Sequence, residues 1–206
     1  MVKISLLKQL KDIFSAPLNQ VIFKKIPVLN YLMIDGQGDP NTSQLYKDAV
    51  GALYSVAYTI KFQIKKSRMA IDYSVMPLEG LWWVEDMSLF STENKKDWKW
   101  TMMILQPEFV TEELVSDAIQ QVINKKSLQA AKEIRLESLL ENEVVQLLHK
   151  GPYFAETENI RRLHQAIQEK RYIRSGKHHE IYLNSPLKTA PENLKTIIRQ
   201  PYSKGQ

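Results

Sequence analysis

Gly176-Lys-His-His-Glu-Ile-Tyr-Leu-Asn-Ser-Pro186 reads as a short strand that ends in a turn. Alternation along a strand places Ile181 and Leu183 on one face and Glu180 and Tyr182 on the other. The neighbouring His178 and His179 then point to opposite faces. A carboxylate beside an aromatic ring on an apolar strand needs an explanation, because burying an unpaired charge is costly. Either the strand lies at a sheet edge with Glu180 in water, or Glu180 belongs to a ligand site that wants a negative charge walled by rings.

The elements around this stretch form a pattern. Upstream, Val144 to Lys150 reads as a strand stopped by Gly151-Pro152. Thr157 to Lys170 follows as a helix with Ile160, Leu163, His164 and Ile167 on one side. Downstream, Pro186 to Pro191 is a loop and Leu194 to Arg199 a last strand. The same order occurs earlier. Val21 to Ile34 reads as a strand ending at the dense turn signal Asp35-Gly-Gln-Gly-Asp-Pro-Asn41. Asn41 or Thr42 then caps a long helix with the apolar stripe Leu45, Ala49, Ala52, Leu53, Val56, Ile60 and Ile64. Gly51 inside that helix implies close packing, since it costs about 1 kcal/mol relative to alanine. Met69 to Pro77 and Leu81 to Val84 read as strands joined through a tight Leu78-Glu-Gly80 turn. Residues 88–97 read as a polar loop, and Lys99 to Gln106 as a strand closed by Pro107.

Thr111-Glu-Glu opens a further helix that runs to about Lys126, acidic at its start and basic at its end, as the helix dipole favours. Lys132 to Leu140 fits helix and strand equally. Leu6 to Phe14 fits a short helix closed by Pro17. The expected fold class is α+β. Duplicated strand–helix–strand–strand modules form one antiparallel sheet with two long helices and a central ligand groove. The modules span about 21–106 and 143–201, linked by the helix at about 111–126, within a domain over 21–206 that follows an N-terminal extension, 1–20.

Composition narrows the function classes. The 206 residues, 44% of them hydrophobic, can bury a substantial core. With no cysteine, disulfides, thiolate metal sites and a cysteine nucleophile are excluded. No HExxH or similar spacing occurs among the histidines, so neither a metal nor another cofactor is expected. The net charge of +5 comes from 28 basic and 23 acidic residues spread along the chain. Lys24-Lys25, Lys65-Lys66, Lys125-Lys126 and Arg161-Arg162 fall at element ends or exposed faces, which reads as solvated surface rather than a nucleic-acid footprint. The N-terminal extension is too short for a helix-turn-helix and has no signal-peptide core. No apolar run approaches the roughly 20 residues of a membrane span. The expectation is a cytoplasmic protein, monomer or homodimer, with no direct nucleic-acid or membrane contact.

Several aromatic residues are candidates for a site beside Glu180. Tyr54 and Tyr58 lie four apart on the first long helix and share a face that adjoins its apolar stripe. Either ordinary packing or ligand contact accounts for them. Trp82 and Trp83 alternate faces, so one of them leaves the core side. Trp98 and Trp100 share a face and read as packing. Tyr73 is a further candidate for the groove, and Tyr153, just past Gly151-Pro152, is placed to close one end of a pocket. His149 reads first as a hydrogen-bonded structural histidine and second as a ligand contact. Asp35, Asp39 and Asn41 are explained by turn formation and capping, because the spacing is not that of a calcium loop.

Six motifs in order carry a family resemblance. They are Tyr-Leu-Met-Ile-Asp-Gly-Gln-Gly-Asp-Pro-Asn at 31–41, Ala-Leu-Tyr-Ser-Val-Ala-Tyr-Thr-Ile-Lys at 52–61 and Pro-Leu-Glu-Gly-Leu-Trp at 77–82. Gln-Pro-Glu-Phe-Val-Thr-Glu-Glu at 106–113, His149-Lys-Gly-Pro-Tyr153 and His179-Glu-Ile-Tyr-Leu183 complete the set. Together they resemble the GyrI-like small-molecule-binding domain family in its stand-alone form. The resemblance implies a duplicated fold and a groove for bulky, flat, hydrophobic and often cationic compounds. It places Glu180 at the groove carboxylate and Trp82 at a stacking position. It also implies that some stand-alone members are hydrolases that open the cyclopropane ring of DNA-alkylating natural products. For such a hydrolase, Glu180 is the general base on water, with its pKa raised by burial, and Tyr182 supports or protonates the oxygen. Members fused to DNA-binding domains sense drugs, a role for which this chain shows no DNA-binding appendage. A gyrase-inhibitor role is also known in the family, and no residue here tests it.

Overall fold

The computed structural model describes residues 1–87 and 95–205. Its chain order starts with β1 (Val2–Ile4), α1 (Leu6–Gln9), β2 (Ile22–Ile26), β3 (Leu29–Gln37) and α2 (Gln44–Lys66). Then come β4 (Ile71–Tyr73), β5 (Leu78–Trp83), β6 (Lys99–Leu105), α3 (Glu112–Lys126) and β7 (Arg135–Leu139). The last elements are β8 (Asn142–Lys150), α4 (Thr157–Glu169), β9 (Tyr172–Arg174), β10 (His178–Tyr182) and β11 (Lys195–Lys204). The fold is mixed α+β; its sheet pairing is antiparallel except for β1 and β4, which pair in parallel as a separate two-stranded sheet.

Two compact units share the chain by interleaving. One comprises Met1–Leu10, Leu29–Met76 and Lys95–Leu139; the other comprises Lys11–Val28, Pro77–Asn94 and Leu140–Gln206. In the first unit β3 runs antiparallel between β6 and β7, with Met33 opposite Met103 and Leu32 opposite Leu136. α2 packs on β3, β6 and α3, and buries Ala49, Ala52, Leu53, Val56, Ala57, Ile60 and Ile64. Hydroxyls cap the two long helices of this unit, α2 and α3. Ser43 accepts from the Tyr46 N–H and Thr111 from the Leu114 N–H, each at 3.3 Å.

In the second unit the strand order is β2-β8-β11-β10-β5, all antiparallel, with β9 on the far end of β11. α4 lies over β8, β9 and β11. Its Ile160, Leu163 and Ile167 meet Val145, Leu147, Ile198 and Tyr202 in one apolar cluster. Each such aliphatic side chain contributes about 1.5–3 kcal/mol by leaving water.

Several elements depart from the sequence reading, each for a local reason. The run from Val21 to Ile34 is two strands in two units, divided at Pro27, which has no N–H to donate to a ladder. Helix α2 is capped by Ser43 rather than Asn41 or Thr42, because Asp39 closes its own turn by accepting from the Asn41 N–H. Leu45 is exposed at the start of that helix. Leu78-Glu-Gly80 is not a turn but the first half of β5. Lys132 to Leu140 divides into a short 3-10 turn ending at Glu133 and strand β7. Of the predicted 88–97 loop, residues 88–94 lie outside those described.

Two glycines show how context reverses a local rule. Gly36 faces Trp100 across the β3–β6 ladder, and a Cβ on it would lie 2.1 Å from the indole Cη2. Gly51, expected to be a packing site, has open space where its Cβ would be. Gly36→Ala should therefore lower stability by about 1–3 kcal/mol through overpacking. Gly51→Ala should raise it by about 0.4–1 kcal/mol. Urea midpoints of the two variants should move in opposite directions; a shared direction would refute one of the two packings.

Candidate functional site

Strand β10 carries ionisable groups on both faces. On one face, His178, Glu180 and Tyr182 sit in a row opposite Trp82, Gly80 and Leu78 of β5. Glu180 is 8% exposed and His178 1%. The Trp82 indole N–H donates to the Tyr182 hydroxyl at 3.1 Å, and that hydroxyl donates to Glu180 Oε2 at 2.7 Å. His178 Nε2–H donates to Glu180 Oε1 at 3.1 Å. Two donors aimed at one carboxyl favour its charged form. A carboxylate has about four lone-pair positions, so two remain for a ligand or water.

Aromatic groups flank this carboxyl. Tyr153 sits edge-on to Tyr182, with ring centroids 5.6 Å apart. Gly80 is the residue opposite Glu180, so β5 places no side chain there. The sequence reading assigned that glycine to a turn. On the neighbouring strand pair, Trp83 carries the Lys177 ammonium 3.3 Å from its ring centroid.

His149 lies on the same sheet face, at the β8 position opposite Thr196. Its Nε2–H donates to the Pro152 carbonyl at 3.3 Å, and its Nδ1 accepts from the Asn159 amide at 3.0 Å. Those partners fix one neutral tautomer. Burial lowers its pKa against the opposing pull of the Pro152 and Gly151 carbonyls and of Glu180. His164 on α4 is held down to about 4, first by burial and then by its neighbours Arg174 and His178.

The other face of β10 holds a charge cluster that the sequence reading missed. His179 Nε2 meets Glu79 Oε2 at 3.0 Å and His179 Nδ1 meets Glu141 Oε1 at 2.9 Å. Acceptors at both nitrogens favour the imidazolium. Arg199, fully buried, donates to Glu141 Oε2 at 2.7 Å, to Gln146 Oε1 at 2.9 Å and to the Ile13 carbonyl at 3.0 Å. Gln146 in turn donates to the Ser15 carbonyl at 3.0 Å. Burial alone would raise the Glu141 pKa, but His179 and Arg199 overcome it and hold the group at about 2. For His179, burial pushes down, and Glu141 and Glu79 win and raise the pKa. One signal for this cluster was available: Arg199 interrupts an apolar run, Ile197-Ile198, in a strand with no reason to be wet.

The remaining candidates belong to the first unit. Tyr54 and Tyr58 stack along α2 at 6.4 Å, and Tyr58 is 47% exposed. Tyr73 is buried at the end of β4, edge-on to Phe109 at 5.9 Å. Its hydroxyl has no hydrogen-bond partner among the described residues, and burial pushes its pKa well up. Trp98 and Trp100 are buried, as packing residues are. Among the described residues no cluster of metal-ligating side chains occurs, and no helix is long and apolar enough to cross a membrane.

The Glu180 carboxyl is thus buried on an antiparallel sheet with Tyr182, Trp82 and His178 in its hydrogen-bond network. The chain belongs to the GyrI-like small molecule binding domain family, whose pattern it matches over residues 19–203. A solved protein of Listeria innocua described as uncharacterized and conserved is 36% identical, with a TM-score of 0.87 over 98% of this chain and 100% of that one. A hydrolase of Listeria innocua is also 36% identical, with a TM-score of 0.86 and the same coverage. The C-terminal domain of EcmrR, 14% identical, shares the fold at a TM-score of 0.58, over 90% of this chain and 98% of that one. No curated protein matches the chain.

The charge cluster makes stability pH-dependent in a defined window. His179 has a raised folded pKa, so its contribution is complete below the ordinary 6.5 and is lost as pH rises through the raised value. Glu141 has a lowered one, so its contribution is complete above 4.5 and is lost as pH falls toward about 2. Denaturant unfolding should show a decline in stability on the alkaline side of neutrality. His179→Gln should remove that decline and lower stability by about 3–5 kcal/mol near pH 6. An unchanged alkaline slope in the variant would show that His179 is not the titrating group.

Proposed function

We propose that this protein binds bulky, hydrophobic, aromatic small molecules, cations among them, beside Glu180, and that it hydrolyses cyclopropyl-bearing DNA-alkylating compounds as a detoxifying enzyme of the cytoplasm. The observation that carries the reading is the sheltered Glu180 carboxyl, tied to Tyr182 and His178 and edged by Trp82 and Tyr153. Its similarity to a Listeria innocua hydrolase over nearly the whole chain supports the catalytic half.

In the catalytic reading Glu180 takes a proton from water. The water oxygen bonds to a cyclopropane carbon, and the strained carbon–carbon bond breaks. Its electron pair moves into a conjugated carbonyl, whose oxygen gains the charge. The Tyr182 hydroxyl supports or protonates that oxygen, and the proton held on Glu180 restores the tyrosine. The faces of Trp82, Tyr153 and Tyr182 hold the flat ring system, and a cation against such faces adds about 0.5–2 kcal/mol. His149, locked in its neutral form, contributes ring surface.

One observation favours a second reading. Both Glu180 oxygens already accept hydrogen bonds from the protein, which suits a fixed anion for binding a cation more than a free base. The protein would then sequester its ligand without chemistry. Glu180→Gln separates the two. For the hydrolase, turnover of a cyclopropyl alkylator should fall by about 100-fold or more while binding of the substrate is largely kept. For the sequestering protein, wild type gives only stoichiometric protection, and the variant loses cation affinity by about tenfold or more. Unaltered turnover and unaltered binding in Glu180→Gln would refute both.

A further inference from the structure

Leu187 and Phe154 are the two most exposed large hydrophobic side chains among the described residues, at 93% and 85%. A single exposed leucine is ordinary, but these two stand at one end of one sheet. Phe154 follows β8 and Leu187 follows β10, and both strands end beside the start of β11, at Lys195 and Thr196. The two loops are joined, because the Gly151 N–H donates to the Leu194 carbonyl at 3.0 Å and Tyr153 meets Tyr182 edge-on. Leu18, 53% exposed, lies at the same end. The Asn19 N–H donates to the Leu148 carbonyl at 2.9 Å and the Leu148 N–H to the Pro17 carbonyl at 3.0 Å, which pins Leu18 to β8. All of these residues belong to the second unit.

The backbone holds the two tips outward. Tyr153–Ala155 form a 3-10 turn closed by the Ala155 N–H on the Pro152 carbonyl at 2.9 Å. With Tyr153 turned to Tyr182, its neighbour Phe154 is left in water. In the other loop the Leu187 N–H donates to Ser185 Oγ at 3.3 Å and the Lys188 N–H to the Ser185 carbonyl at 3.1 Å. Asn184 closes the base of that loop, donating to the Asn193 carbonyl and accepting from the Lys195 N–H. Tips fixed in this way have little backbone freedom left to lose when a partner covers them.

Basic side chains border the tips. Lys150 and Lys195 face each other across β8 and β11, and Lys188 follows Leu187; all three are exposed. Arg161 and Arg162 stand on α4, where Arg162 donates to the Asn19 carbonyl at 3.4 Å. The acidic residues here are Glu158, held by both arginines, the exposed Glu192, and Glu156, which is only 3% exposed. Five basic residues against three acidic ones leave this end of the sheet net positive. A second copy docked about a twofold axis would set that border against itself. An anionic bilayer matches both parts, since apolar tips enter the boundary of headgroups and acyl chains while basic groups meet the headgroup charge.

We propose that this end of the sheet docks the protein reversibly on anionic lipid bilayers, with Phe154 and Leu187 inserted and Lys150, Lys188 and Lys195 on the headgroups. The sequence expectation of no membrane contact rested on the lack of a spanning run, and lying on a bilayer needs none. Nothing in this contact depends on the reading of Glu180.

The chain has no cysteine, so a polarity-sensitive dye attached at Leu187→Cys reports on this loop alone. Ile173→Cys on β9 is the control site, 60% exposed and paired with Ser203 toward the other end of β11. Vesicles of phosphatidylcholine with about 30% phosphatidylserine should shift the Leu187 dye to the blue and leave the Ile173 dye unchanged. In vesicle sedimentation, wild type should bind pure phosphatidylcholine about tenfold or more weakly than the anionic vesicles. Phe154→Ser combined with Leu187→Ser should cost about tenfold or more on the anionic vesicles. Lys150→Glu combined with Lys188→Glu should remove the preference for phosphatidylserine. These positions are exposed, so thermal melting of the variants should stay close to wild type. No wild-type binding to anionic vesicles, equal shifts of the two dyes, or full binding by the serine double variant overturns the contact. Dimers in sedimentation equilibrium that the serine double variant abolishes, with no vesicle binding, overturn it in favour of a second copy.

Discussion

Strand β10 buries ionisable side chains on both of its faces, and the chain around it is arranged to make that tolerable. Taking a charge out of water costs several kcal/mol unless a partner and hydrogen bonds replace the lost hydration. On the reverse face, the replacement is a near-neutral set in which His179 and Arg199 stand against Glu79 and Glu141. These groups come from β5, the turn before β8, β10 and β11, so their pairing locks those strands in register. A slip of one residue would turn every charge of β10 to the wrong face. The same slip would carry Glu180 off its partners. The reverse-face cluster therefore also positions the Glu180 face.

That division of labour was partly readable in the amino acids. Alternation alone assigned Glu180 and Tyr182 to one face and His179 to the other. It did not reveal the contents of the second face, because Glu79, Glu141 and Arg199 are supplied from distant parts of the chain and alternation carries no long-range information. Glycine was read as a turn at two places and as a packing site at a third. Gly80 stands in mid-strand opposite Glu180, Gly36 makes room for Trp100, and Gly51 is simply exposed. A glycine signal says that a side chain is missing; whether a turn, a ring or a ligand uses the space depends on partners far away. Helices were more legible, since the apolar stripe of α2 and the capping hydroxyl of α3 act within a few residues. Even there Leu45 and the cap of α2 were misplaced, because Asp39 draws the Asn41 backbone into a turn of its own.

The two units differ in chemistry although both pair sheet with helix. The buried set of the first is overwhelmingly apolar, with Met33, Met102, Met103, Ile104 and Trp100 on its strands. Among its polar contacts, Thr101 donates to Asp35 at 2.6 Å, Arg135 pairs with the same carboxylate at 3.0 Å, and the buried Gln106 amide donates to the Ile104 and Leu105 carbonyls. In the second, β5, β8, β10 and β11 bury glutamate, glutamine, histidine and arginine side by side. Polar burial of that density raises the demand for satisfied partners and leaves fewer alternative packings.

The direction of the hydrogen bonds extends this point. From Trp82 to Tyr182 to Glu180 each N–H or O–H donates toward the carboxyl, and His178 donates from the opposite side. Aligned donors polarise one another and hold the acceptor still before any ligand arrives. A site whose dipoles are already oriented spends little free energy reorganising when a charge enters. In the proposed function, a cation near Glu180 would therefore meet an anion fixed in place, with ring faces beside it. Without those donors the carboxyl would have to gather its solvation from water. Tyr182 links the two requirements, since its hydroxyl anchors the carboxylate while its ring, with Tyr153 set against it, forms part of the wall.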